Sequence, residues 1–371
     1  MVAFAYLVPF ITCLILKFGF QFGGEWKYYF WIIFIGEAVV AGLHYIFYYS
    51  ATRSEEYIGS LVQRIQYEEP WTELQSRTVT RSDRNGKTYS TTEIRHVYHP
   101  ERYHFVTSIG STINTNGRFY HYVLMQWEVK PFPLSWAGSN IKGGIRYGYA
   151  AVMPFTLGVK FDDQRWVSVT EKHSYVNKIK NSNSIFKHRK IDRKDAFELG
   201  LYDYPRIGLF HDAECLLSNT YPVDEDIRSL FRRFNGKYGA QLQMRLYILV
   251  FPTSKGVGIT ELQKTYWKGG HKNEFVICLG ISSSGKVEWA RAFSWTDNQQ
   301  LEVETANWFL KNPDLNWHVF YQWFVSHSGN WHRKEFSDFK YINVSFPLWQ
   351  ILTIYGVSIL ENLIALKVVL S

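Results

Sequence analysis

Long apolar stretches at both ends, almost free of charge, set the first constraint on this chain. Residues 1–50 carry only Lys17, Glu25, Lys27 and Glu37, and residues 344–371 only Glu361 and Lys367. Residues 2–22, 28–49 and 346–370 each supply the roughly 20 apolar positions that a helix needs to cross hydrocarbon. A cleavable secretory signal is the competing reading of the first stretch. No Lys or Arg precedes it, however, and no small-residue cleavage site follows before the second stretch begins. Residues 23–26 suffice only for a turn, so three spans are expected: an N-terminal helical hairpin and a C-terminal helix, with the N-terminus on the same side as the middle of the chain.

The net charge of +8 therefore belongs to the middle. With 46% apolar and 18% aromatic residues and only three Cys, the composition excludes a disordered chain, a collagen-like repeat and a disulfide scaffold. Arg53, Arg64, Arg333, Lys334 and Lys340 flank the spans on the middle-domain side, against Lys27 and at most Lys17 and Lys367 on the other. The positive-inside tendency then expects a protein of the cell (inner) membrane with a cytoplasmic domain. Cys215 and Cys278, too few for a disulfide framework, agree with that placement.

An ionisable side chain at the bilayer centre costs a few kcal/mol unless it is paired, hydrated or long enough to snorkel. At 1.5 Å per residue, Lys17 and Glu361 each fall roughly 22 Å from the domain-side start of their spans, and Glu37 roughly 18 Å from its own. Lys17, Glu37, His44, Glu361 and Asn362 form a candidate intramembrane polar cluster, inside one chain or a homo-oligomer. Snorkelling of Lys17, Glu361 and Lys367 to the far headgroups is the alternative, and an ion or proton pathway a third.

In the middle, residues 51–71 read as a helical neck, with Tyr57, Leu61 and Ile65 on one helical face. Residues 72–99 read as a polar hairpin turning at Arg84, Asn85, Gly86 and Lys87. Residues 100–175 give weaker signals, among them a strand at 166–170. Residues 176–194 are the densest basic run, holding Lys178, Lys180, Lys187, His188, Arg189, Lys190, Arg193 and Lys194. That run suits a solvated loop or anionic headgroups; no aromatic ladder accompanies it, which argues against nucleic acid. From Pro222 the pattern becomes regular. A helix runs to about Phe234, and from Met244 the order is β-α-β-β-α, with Asp297 as the cap of the last helix. The expected fold class is α+β: a β-rich part over 72–220, an α/β part over 221–343 and the C-terminal span over 344–371.

The segments QMRLYILVF, TYWKGGHKNEF, FVICLGISSSG and KVEWARAFSW resemble the TPM domain, a β-α-β-β-α module of membrane-anchored proteins. Residues 165–300, with HSYVNKIKNSNSIF, GLYDYP and YWKGGHKNEFVICLG, look like an uncharacterised family of bacterial and phage membrane proteins. The TPM resemblance implies a phosphatase or an assembly factor, although no residues match a TPM acidic cluster.

Three residue groups offer chemistry. His96, His99 and His104 would hold zinc if the fold gathered them, but on a strand residues three apart face opposite ways. Lys268, Gly269, Gly270, His271, Lys272 and Asn273 form a glycine turn that suits either an anion or a plain helix stop. Asp203, Asp212, Asp224, Glu225 and Asp226 supply carboxylates, the last three in the first turn of a helix, where the dipole favours them anyway. No nucleophile elbow, zinc-protease pair, Cys-x-x-Cys or Rossmann fingerprint occurs, so no cofactor is expected. The expected role is a membrane-anchored binding or scaffold protein that self-associates and meets a protein partner at the bilayer. A phosphoester hydrolase and an oligomeric channel are the alternatives.

Overall fold

The structure is a computed structural model that describes residues 2–20, 25–82, 87–154, 165–184, 186–208 and 214–370. In chain order, helix α1 (Val8–Leu14) lies between a 3-10 segment, Val2–Leu7, and a π-helical one, Ile15–Gly19. Helix α2 (Trp26–Thr52) passes directly into strand β1 (Arg53–Glu68). There follow β2 (Trp71–Ser82), β3 (Thr88–His99), β4 (Arg102–Thr107), β5 (Thr112–Thr115) and α3 (Gly117–Trp127). Next come β6 (Phe132–Pro133), β7 (Ser139–Ile141), β8 (Gly144–Arg146), β9 (Gly148–Val152), β10 (Ser168–Val176) and α4 (Arg193–Leu199). The last part holds β11 (Leu216–Ser218), α5 (Glu225–Leu242), β12 (Arg245–Pro252), α6 (Ile259–Tyr266), β13 (Glu274–Ile281) and β14 (Val287–Ser294). Helices α7 (Gln300–Lys311), α8 (Trp317–His327) and α9 (Leu348–Leu370) close the chain. It is a mixed α+β protein, divided into an anchor unit (1–56, 174–191 and 334–371) and a sheet unit (57–173 and 192–333).

In the anchor unit α2 and α9 run antiparallel, with Phe47 against Trp349 (5.6 Å) at one end and Gly36 beside Glu361 further along. Among the described residues these two helices, and not three, are long and apolar enough to cross a membrane. The first apolar stretch is the correction. Its helical part is Ala3–Gly19, about 25 Å at helical rise against a hydrocarbon core of about 30 Å. Pro9, which lacks an N–H, is the second residue of α1, and the preceding turn, Val2–Leu7, is 3-10. The segment packs on the other two through Ala5, Val40 and Ile354, and Pro9 nests where Gly36 has no Cβ. The turn expected at 23–26 lies outside the described residues but for Glu25 and Trp26.

The sheet unit contains a six-stranded sheet, in the order β5-β4-β1-β9-β6 with β10 also paired to β1. Its core is Val62, Ile65, Phe105, Val169 and the α3 residues Phe119, Val123 and Trp127. Here the expected neck helix is a strand. A bulge between Val62 and Arg64 lets residues three apart share the core face, and residues 58–62 are buried on both faces, so the spacing imitates a helix. The polar hairpin is β2–β3, paired from Trp71 with His99 to Ser82 with Thr88 and largely exposed. Of its expected turn, residues 84–86 lie outside the described residues.

The second sheet has the order β11-β12-β13-β14, the first three strands parallel and the last antiparallel. Two β-α-β crossovers, through α5 and α6, build it. Strands β12 and β13 are buried almost throughout, as parallel strands covered on both faces are. The order from β12 to α7 is β-α-β-β-α. Helix α5 continues eight residues beyond Phe234, through Gly236 and Gly239, which read as breakers. Those glycines admit β1 and β10: a Cβ at Gly239 would crowd the Gly59 backbone and one at Gly236 would collide with Ser168 of β10, while a Cβ at Gly59 would collide with the Asn235 carbonyl. The residue at the cap of α7 is Gln299 instead of the expected Asp297, without a side-chain cap bond, and Asn298 Oδ1 just before it accepts from Gln300 N at 2.9 Å.

Asn235 closes this crossing. Its amide donates to Leu246 O (3.0 Å) and its Oδ1 accepts from Leu246 N (2.7 Å), all buried. Asn235→Ala should therefore destabilise the sheet unit by about 2–4 kcal/mol, since two buried backbone groups lose their partners. Denaturant unfolding of the solubilised protein checks this.

Candidate functional site

A concave site in the sheet unit is built around residues 203–206. Helix α4 starts at Asp192, whose Oδ1 accepts from Asp195 N (2.8 Å), and stops at Gly200, which has φ 75°. Tyr202 is then fixed on both backbone sides by the buried Gln263 of α6. Its N donates to Oε1 (2.9 Å), and its O accepts from Nε2 (3.0 Å) and from Trp267 Nε1 (2.7 Å). Its hydroxyl donates to Val250 O and accepts from Asn219 N (3.1 Å).

That anchoring places Asp203 and Tyr204 on either side of a wall. Asp203 accepts from Arg193 (2.9 Å) and from the Tyr266 hydroxyl (2.5 Å), and the Tyr266 bond, with Arg193, holds its carboxyl below the usual range. Tyr204 turns inward against Trp267 (5.1 Å) and His271 (5.1 Å), and its hydroxyl donates to Glu274. Glu274 is the first residue of β13 and lies in register with Arg245, the first of β12; both are fully buried. Arg245 Nε donates to the Tyr247 hydroxyl (2.9 Å), which faces the Tyr204 hydroxyl (3.5 Å). Guanidinium, two phenols and carboxylate thus form one buried chain. Burial pushes the Tyr247 phenol up to about 12, and burial with the Glu274 charge pushes the Tyr204 phenol well above its ordinary value. Both phenols stay protonated as donors.

In front of Tyr204 opens a cleft of about 620 Å³, lined by Arg193, Asp203, Arg206 and Glu214 among others. Arg193 and Asp203 pair with each other, and Glu214 takes Arg228 (3.6 Å) and Arg232 (3.2 Å). Arg206 is exposed and has no ion pair or hydrogen bond among the described residues. The cleft therefore has one uncommitted cation and no uncommitted anion among its described lining.

The glycine turn expected to hold an anion adjoins this network. Lys268, Gly269 and Gly270 all have positive φ (55°, 84° and 79°), which aims the next amide inward. His271 N donates to Glu274 Oε2 (2.9 Å), so a carboxylate of the chain itself occupies the turn. Lys272 is buried, and Asn273 Nδ2 donates to Tyr57 O (2.8 Å).

The three histidines stay apart. His96 faces Leu74 across the hairpin, His99 bonds Glu73 (2.9 Å) and stacks on Trp71 (4.4 Å), and His104 bonds Gln66. Among the described residues no three His, Cys, Asp or Glu side chains gather as a metal site. Asp212 lies outside the described residues. The carboxylate of Glu225 binds Arg232, and Asp224 is the residue before α5.

In the anchor unit Asn362 Nδ2 donates to Glu361 Oε2 (2.9 Å) and Ser358 O (2.7 Å), and His44 Nδ1 meets the Tyr6 hydroxyl (3.1 Å). Glu37 is half-buried with Oε1 unbonded. Lys17 is exposed, makes no ion pair among the described residues, and lies 5.8 Å from the Phe18 ring. Glu361 also borders a groove of about 400 Å³ between α2 and α9, lined otherwise by Ile, Leu, Val, Ala, Trp31 and Tyr28.

Sequence reasoning missed Arg245, Tyr247 and Glu274 because they sit in apolar runs. The available signal was a charged residue opening each of two wholly apolar strands. No protein-family model, curated protein or solved structure matches the chain, so the likeness to the TPM module rests on the quoted segments alone.

Glu73 carries a pH response. Lys142, at the turn of β7–β8, and His99 hydrogen-bond its carboxylate and hold it down at about 2. A depressed carboxyl stabilises the fold above its ordinary value near 4.3 and loses that contribution as pH falls toward 2. The Leu74 amide, bonded to Lys142 O (2.9 Å), should lose hydrogen-exchange protection over that window, after correction for intrinsic rates. In Glu73→Gln the acid step should vanish.

Proposed function

We propose that this is a membrane-anchored binding protein that self-associates: α2 and α9 hold it in the bilayer, and the sheet unit, on the cytoplasmic side of the cell membrane, takes a small anionic ligand in the Tyr204 cleft. The observation that carries the reading is Arg206. It is a guanidinium on the wall of a roomy cleft whose other described charges are already matched within the chain. Such a group offers two parallel N–H donors to a carboxylate or phosphate at no cost in broken internal bonds. The rigid wall supports it, since Tyr202 is held at both backbone groups and Tyr204 by the buried network. The orientation follows from the basic residues near the helix ends.

Self-association is supported by the anchor unit. Glu37 presents an unbonded oxygen, and Glu361 borders an apolar groove. In hydrocarbon such groups are satisfied by a neighbouring helix, and a second copy of the chain is the neighbour at hand.

Calorimetric titration of the detergent-solubilised full-length protein with inorganic phosphate and with succinate tests the cleft. At least one should bind saturably, and Arg206→Gln should weaken it about tenfold or more without lowering the melting temperature. Absence of saturable binding of both anions, or equal affinity in the variant, would overturn the cleft assignment. Native mass spectrometry reads the second part: a discrete oligomer is expected, and a strict monomer at all detergent levels removes self-association.

A further inference from the structure

The basic run 176–194 suits, in sequence, either a solvated loop or anionic headgroups. Most of it belongs to the same compact unit as the two long apolar helices. Residues 177–181 are bonded to the foot of α2: Asn177 N donates to Thr52 O (2.6 Å), and Lys180 Nζ to Arg53 O (3.0 Å). Two further bonds tie them to the chain entering α9, Lys178 Nζ to Lys340 O (2.6 Å) and Ser345 N to Asn181 O (2.7 Å). Aromatic contacts pin the strap on either side, Tyr175 on Phe336 (5.0 Å) and Phe186 on Phe339 (5.3 Å). Thr52 O, the last carbonyl of α2 at the negative end of its dipole, thus receives an amide, and the carbonyl of the capping residue Arg53 an ammonium.

We propose that this strap, with Lys334 and Lys340, is a collar that binds the headgroups of anionic lipids around the feet of α2 and α9. The bonds just named set its depth, because a segment tied to the terminal carbonyls of a membrane helix lies at the level of the headgroups. Its charge has the right sign. Outside the two helices and the N-terminal apolar segment, the unit has the basic residues Arg53, Lys178, Lys180, Lys187, Arg189, Lys190, Lys334 and Lys340 against Glu55, Glu56, Glu335 and Asp338 at this end, with Glu25 at the opposite end of α2. The side chains of Lys187, Arg189 and Lys190 are exposed and make no ion pair or hydrogen bond among the described residues, so their charged donors are uncommitted. Tyr341 and Trp349, 71% and 60% exposed at the same end, are amphipathic rings of the kind that settle at a membrane interface. Nucleic acid fits less well. The strap's exposed cations are not interleaved with a ladder of free rings, since Tyr175 and Phe186 are both engaged inside the unit.

The test uses the full-length protein in nanodiscs of phosphatidylcholine alone or mixed with phosphatidylglycerol, released and read by native mass spectrometry. Wild type should retain phosphatidylglycerol in preference to phosphatidylcholine. The triple variant Lys187→Gln, Arg189→Gln, Lys190→Gln should lose that preference by about tenfold or more, with an unchanged melting temperature. Hydrogen exchange across residues 177–190 should slow in the mixed discs for wild type only. Equal retention of the two lipids by wild type, or an undiminished preference in the variant, overturns the collar. So does protection of the strap by millimolar inorganic phosphate in phosphatidylcholine discs to the same extent, which would assign the charges to a free anion. Tight binding of a single-stranded oligonucleotide by wild type that the variant loses would likewise replace the lipid with a nucleic acid.

Discussion

A guanidinium and a carboxylate held out of water at the first residues of two neighbouring parallel strands are the constraint around which the sheet unit is arranged. Arg245 and Glu274 lie in register, and neither charge is tolerable there without donors and acceptors to match it. Tyr247 and Tyr204 supply the chain between them, and His271 N supplies the second bond to Glu274. Tyr204 can reach Glu274 only because Gln263 and Trp267 clamp the backbone of Tyr202 two residues earlier. The outer wall of the cleft therefore inherits its rigidity from a charge balance in the interior. The glycine turn has the same origin: three consecutive positive φ values bend the chain so that one amide faces inward to that carboxylate.

How much of this was legible in the sequence varies with how local the cause is. The buried strands β12 and β13, helix α6 and the polar hairpin follow from residues within a few positions of one another, and their order could be read. Strand β1 could not, because its bulge and its burial on both faces give apolar residues the spacing of a helix. Helix α5 outlasts its expected end because Gly236 and Gly239 serve the approach of β1, a partner far away in sequence. The first apolar stretch, with Pro9 near the start of α1, forms too short a helix to count as a third span among the described residues. Among site residues, the glycine turn was legible only as a turn suited to an anion or a helix stop, and that its amide meets Glu274 depends on the sheet register. Arg206 carried no local signal at all.

The anchor unit shows the same division between composition and contact. Apolar length identifies α2 and α9, while the pairing of His44 with Tyr6 and of Asn362 with Glu361 depends on how three helical pieces pack. Lys17 and Glu361, similar in estimated depth, do not pair among the described residues. Equal depth on two helices leaves their azimuth free, and only packing settles which faces meet.

The approach of Gly59 to Asn235 and Gly236 also bears on the order in which the protein can be completed during synthesis. The far half of β1 finds β4 within a few dozen residues, Val62 opposite Thr107. The near half waits longer, since the Asn273 amide that bonds Tyr57 O is 216 residues downstream. At about 5–20 residues per second that delay is roughly 10–40 s, spent beside a helix already able to enter the bilayer. The strand that continues from α2 is thus among the earliest parts made and among the last to acquire all of its neighbours, and a stalled or truncated chain would leave its apolar residues uncovered.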